Sequence, residues 1–131
     1  MQSVSIFWFR RDLRIMDNHG LWAALQGDLP VLPIFIFDPM ILNRLENKRD
    51  GRVEFIHQSI SDLKSAIQKQ GGDLCVFHSN PLDAFKELQG KFSIHAIYTN
   101  HDYEKYGCDR DNKIEAWAVS NQIQFHSYKD Q

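Results

Sequence analysis

The chain has 131 residues, enough for one domain with a sizeable core, and its 43% apolar and 24% charged content is ordinary for a globular protein. A formal net charge of −2 argues against a free-standing nucleic-acid binder, which carries a basic excess. No apolar run reaches the length of a membrane span, so no partnership with a membrane is expected.

The start, "MQSVSIFWF", has neither a basic lead nor a small-residue cleavage site. It reads as a first strand rather than a signal peptide. The first apolar run, 4–9 ("VSIFWF"), ends in a dense charged cluster: Arg10, Arg11, Asp12, Arg14 and Asp17. Asp17 is the expected N-cap of a short helix over 18–26 that buries Leu21, Trp22 and Leu25. The second run, 31–37 ("VLPIFIF"), contains Pro33, which removes a ladder donor and places this strand near an edge or a bulge. Asp38 to Gly51 ("DPMILNRLENKRDG") is the longest irregular segment, and its length suggests a functional loop.

From Arg52 to Gln70, Val53, Ile56, Ile60, Leu63 and Ile67 recur at steps of three and four. That is one helical stripe, closed by Gly71 and Gly72. The run "LCVF" (74–77) is a third strand in which Cys75 reads as a small core residue. Asn80 and Pro81 open a third helix. "IHAIY" (94–98) is a fourth strand, followed by the cluster "NHDYEKYGCDRD" from Asn100 to Asp111. A helix over 109–120 centred on Ile114 and Trp117 precedes the last strand, "IQFHSY" (123–128). Continuous apolar runs mark strands covered on both faces. Their alternation with helices predicts an α/β fold: a doubly wound, five-stranded parallel sheet with strand one inside it, in a Rossmann-like three-layer α/β/α domain over 1–131.

Several common chemistries are missing from the sequence. There is no GxGxxG after strand one, no GxxxxGK[ST] and no GxSxG elbow. The six histidines show no metal-ligand spacing, and His95 and His126, inside strand patterns, read as structural. The two cysteines, Cys75 and Cys108, form neither a CxxC pair nor a disulfide framework, which suits a cytoplasmic protein. What remains is charge at the carboxyl ends of strands one, two and four. In a doubly wound sheet those ends share one edge, and the crevice at the reversal of strand order is the default ligand site. If strand one lies beside strand four, the first and third clusters face each other there. The same charges are also compatible with solvated loops in which an Asp–Arg pair fixes a turn. Phe35 and Phe37 are compatible with a pocket wall or with plain sheet core.

"WFRRDLRIMDNHGL" resembles the opening signature of the DNA photolyase/cryptochrome family. "FDP" after strand two, "RVEFIHQSISDLKSAIQKQGGDL" and "NHDYEKYGCDRD" follow in register, so the resemblance runs from Val4 to Gln131. It implies the N-terminal domain of a deoxyribodipyrimidine photolyase, a light-driven DNA repair lyase. Such a domain helps bind a light-harvesting antenna chromophore. The partners implied are a C-terminal FAD-binding helical domain and, for the full-length enzyme only, ultraviolet-damaged DNA. FAD itself would sit in that second domain, no catalytic residue would lie in these residues, and this chain alone would be inactive.

Folate-using members carry Asn-Glu where this sequence has Tyr106 and Gly107, so the resemblance favours a deazaflavin or flavin antenna over folate. By the same resemblance Asp38, Arg52 and Asp102 are expected as polar contacts to the chromophore, with Arg11 and Cys108 as further candidates. Cys108 departs from the basic residue of related sequences. A cryptochrome photoreceptor would carry the same domain. A stand-alone nucleotide-binding α/β protein would share only the fold, and the two part on whether the gene continues into a helical region.

Overall fold

A computed structural model describes residues 2–10, 15, 18–37, 52–100 and 105–128, with the side chains of 52–56 and 105–108 excepted. The strands are β1 (Ser3–Phe9), β2 (Val31–Phe37), β3 (Cys75–His78), β4 (Ser93–Asn100) and β5 (Gln124–Tyr128). They form one sheet in the order β3-β2-β1-β4-β5, and every pairing is parallel. Helices α1 (His19–Leu25), α2 (Arg52–Lys69), α3 (Pro81–Lys91) and α4 (Lys105–Ser120) supply the crossovers.

The alternation of side chains along each strand sorts the core into two layers. Phe7, Phe9, Phe35 and Phe37 meet Leu21 and Ala24 of α1 and Ile60, Leu63 and Ile67 of α2. Ile6, Trp8, Ile34 and Ile36 point the other way, into Ala84, Phe85 and Leu88 of α3 and Ile114 and Ala118 of α4. β1 is buried from Val4 to Phe9 because it has a covered face on each side, and this is why its sequence is apolar without alternation. The crossovers from β1 to β2 and β2 to β3 use the first face, and those from β3 to β4 and β4 to β5 use the second. The fold is therefore doubly wound, as expected.

Local departures have physical causes. The cap of α1 is Asn18, whose Oδ1 accepts from the Leu21 N–H at 3.1 Å; Asp17 lies outside the described residues. This helix has seven residues and buries only Gly20, Leu21 and Ala24, leaving Trp22 61% and Leu25 59% exposed. A helix this short turns a narrow stripe to the sheet, and Trp22 and Leu25 each sit one position round from it. Their burial is a corrected expectation.

Pro33 lies in a strand next to the edge strand β3. The β2–β3 ladder begins only at Ile34 opposite Cys75, so β2 is still open on that side at Pro33. The bulge occurs elsewhere, where Val4 pairs Ile94 and Ser5 pairs Ala96, which makes His95 the extra residue of β4. Cys75 is half-buried rather than a core residue because β3 is an edge; burial still pushes its thiol pKa up, which keeps it protonated and unreactive. Asn80 caps α3 as expected, accepting from the Asp83 N–H at 2.9 Å with Pro81 in the first turn. α4 begins earlier than the expected 109, at Lys105. His95 is exposed, and His126 stacks on Tyr98 at 4.9 Å, a packing role. Val53, Ile56 and the segment 38–51 fall outside the described side chains.

The burial contrast within one face gives a test. Ile60→Ala should cost about 2–5 kcal/mol in urea unfolding. Trp22→Ala should stay within about 0.5 kcal/mol of the parent, as exposed substitutions do. A small loss at Ile60 would mean that the α2 stripe does not face the sheet.

Candidate ligand crevice at the carboxyl edge of the sheet

Strand order reverses between β1 and β4, so the switch point opens where Phe9 and Asn100 end their strands. Two sets of buried polar contacts cross it. On the α4 side, Arg10 Nη1 donates to Asp111 Oδ2 at 2.8 Å, and Nη2 lies 2.5 Å from Oδ1. The side chains are only 6% and 10% exposed, so this is a desolvated ion pair. Trp8 forms its floor, with the Arg10 guanidinium 4.2 Å and the Arg110 guanidinium 5.0 Å from the ring centroid. Phe85 packs edge-on against the same indole at 5.3 Å. Thr99 donates its hydroxyl to the Trp8 carbonyl at 3.0 Å, tying β4 to β1 beneath the crevice.

On the α1 side, Asn100 Nδ2 donates to Asn18 Oδ1 at 2.7 Å, and Asn100 Oδ1 accepts from the Gly20 N–H at 2.9 Å. Glycine is required at position 20 by space. A Cβ there would lie 2.7 Å from Asn100 Oδ1 and 2.9 Å from Phe7 Cε1. At the end of β2, Phe37 is stacked between His57 and His78, each 4.7 Å away.

Of the residues expected at the site, Asp38, Arg11 and Asp102 lie outside the described residues. Arg52 opens α2 and Cys108 lies in α4, and nothing of their side chains is described. Phe35 and Phe37 are 8% and 4% exposed within the α1/α2 layer, which is the sheet-core alternative. What the structure does bring together is the first and third charged clusters: Arg10 meets Asp111 across the switch point, the turn-fixing alternative for that pair. Sequence reasoning missed Asn18, Gly20 and Asn100. All three stood within the quoted motifs, but neutral amides and a glycine carry no charge signal.

A DNA photolyase family model matches residues 5–131, almost the whole chain. The chain belongs to the DNA photolyase family. It is 33% identical over 88% of its length to a deoxyribodipyrimidine photo-lyase from a Synechococcus strain, and it covers 24% of that protein. A cryptochrome-2 from Gallus gallus is 34% identical over 84% of this chain, which covers 19% of that relative. Among solved structures, the archaeal photolyase from Sulfolobus tokodaii superposes with a TM-score of 0.83 at 36% identity, covering 97% of this chain and 29% of that one. That structure is described as holding two FAD molecules and as implying a novel light-harvesting cofactor. The chain thus corresponds to the N-terminal domain of photolyases and cryptochromes and spans about a quarter of the length of these relatives.

The described polar groups of the crevice are committed to one another, so they fit a role as its frame. The frame itself can be tested. Asp111→Ala leaves Arg10 buried without its carboxylate and should cost about 3–5 kcal/mol. The double replacement Arg10→Met with Asp111→Leu should restore much of that loss in the same chemical-denaturation experiment.

Proposed function

We propose that this chain is the N-terminal domain of a light-dependent DNA repair enzyme, a deoxyribodipyrimidine photolyase. In this reading the crevice at the sheet's carboxyl edge helps bind the light-harvesting antenna chromophore. The observation that carries it is the likeness to the Sulfolobus tokodaii photolyase in both sequence and fold, because that protein is described with a second FAD and a light-harvesting cofactor. A flavin or deazaflavin is the favoured chromophore over folate. When bound, it would absorb light and pass the energy to FAD in a second domain, where the carbon–carbon bonds of a cyclobutane pyrimidine dimer are broken.

This chain's own part is binding and orientation. Asp38, Arg52 and Asp102 would offer polar contacts to the edges of the heterocycle, with Arg11 and Cys108 beside them. A planar ligand needs a few placed polar groups in an otherwise apolar slot. No residue here acts on the lesion. The partners are the C-terminal FAD-binding domain and, for the full-length enzyme, ultraviolet-damaged DNA, in the cytoplasm. Among the described residues no helix is long and apolar enough to cross a membrane.

A cryptochrome photoreceptor is the second reading. It is favoured by the 34% identity to the Gallus gallus cryptochrome-2 and the 30% identity to a cryptochrome DASH from Solanum lycopersicum. Repair of cyclobutane dimers by the longer protein under blue light separates the two, and 1–131 alone should show none.

Asp102→Ala in the longer protein should remove the antenna absorbance band while FAD stays bound. Loss of one charge-assisted hydrogen bond is worth about 1.5–3 kcal/mol, roughly tenfold or more in affinity. Unchanged antenna occupancy in that variant rejects the assignment of Asp102.

A further inference from the structure

We propose that the face of β4 and β5 beside α1 is an internal docking surface, covered in the longer protein by the stretch of chain that directly follows β5. This surface is separate from the crevice. Its role rests on the reading of the chain as the N-terminal domain of a longer protein.

Three features meet there. On α1, Trp22 and Leu25 lie three residues apart and stand 61% and 59% exposed. Beside them runs a row of rings. Trp22 faces His19 at 6.3 Å, His19 faces Tyr128 at 4.7 Å, and Tyr128 lies parallel to Tyr98 with centroids 6.5 Å apart. His126 stacks on Tyr98 and completes the row. Finally, β5 is an outer strand, and among the described residues it pairs with β4 alone. Its sequence, QFHSY, has neither lysine nor proline, the usual guards of an exposed edge.

The winding explains why these groups are open. The crossovers through α1 and α2 serve β1, β2 and β3, so on this face β5 meets only the short α1 among the described elements. On the opposite face, Ile123 and Phe125 join Ala118 of α4 in the second core layer. The same strand is therefore packed on one side, while Tyr98, His126 and Tyr128 stay half-buried on the other. None of the row is a carboxylate, a lysine or an arginine, so the surface fits an apolar segment of protein.

Chain length and position choose the occupant. This chain covers 24% of the Synechococcus photolyase and 29% of the Sulfolobus tokodaii one, so most of each relative lies beyond the matched region. β5 is the last strand, and its final residue, Tyr128, belongs to the row. A segment leaving Tyr128 reaches Trp22 without crossing the sheet. Tethering also gives it an effective concentration that a separate partner lacks.

The test is hydroxyl-radical footprinting of the longer protein and of the 131-residue chain, read residue by residue by mass spectrometry. A segment seated about nine-tenths of the time should slow oxidation of Trp22 and Tyr128 on the order of tenfold in the longer protein. His95, exposed at the amino edge of the sheet, should react equally in both. Trp22→Glu should return Tyr128 in the longer protein to the rate seen in the 131-residue chain, and should leave that chain's own urea midpoint unchanged. A benzophenone cross-linker at position 25 should capture the peptide directly after β5. Equal oxidation of Trp22 in both proteins overturns the proposal, as does capture of a remote part of the chain. Protection that rises with the concentration of the 131-residue chain would assign the face to a second copy and would also overturn it. A longer protein that protects Trp22 yet shows neither antenna band nor repair would fail the photolyase reading and uphold the docking surface.

Discussion

The pairing of β1 with β4 is the constraint on which the rest of the molecule depends. It places the most apolar strand at the centre of the sheet, gives it a covered face on each side, and makes the winding reverse at its carboxyl end. From that one adjacency follow the two aromatic layers and the crevice. Arg10 and Asp111 meet across that edge for the same reason. A sheet with the same strands in simple sequential order would bury as much surface and would have no switch point.

The crevice is framed by groups that would be costly anywhere else. Arg10 and Asp111 are nearly inaccessible to water and are tolerated because they pair as opposite charges through a 2.8 Å hydrogen bond while Trp8 lies against the guanidinium. Asn18 and Asn100 do the same with neutral amides. The described polar side chains Arg10, Asp111, Asn18 and Asn100 are thus used on one another at this edge.

Much of the fold was legible in the sequence because periodicity reports burial directly. The α2 stripe of Ile60, Leu63 and Ile67, the Asn80–Pro81 start of α3 and the five strand cores stand where the pattern puts them. The pattern failed where burial depends on how far a partner extends. Trp22 and Leu25 look like core residues by spacing, but α1 is too short to turn them inward. Cys75 looks buried until β3 proves to be an edge. Of the site, the sequence showed which clusters would converge. It did not show which arginine of the first cluster would meet Asp111, since Arg10 and Arg11 are adjacent and chemically identical. The same limit hid Asn100, which has no charge to draw attention and matters only through the precise approach of Gly20.

The measurement that bears most directly on the account is identification of every chromophore released when the longer protein is denatured. The account predicts FAD together with a second chromophore of the flavin or deazaflavin class, the second one released selectively when the contacts at the β1–β4 edge are removed. Release of FAD alone from the parent, or of a second chromophore unaffected by those substitutions, would contradict it.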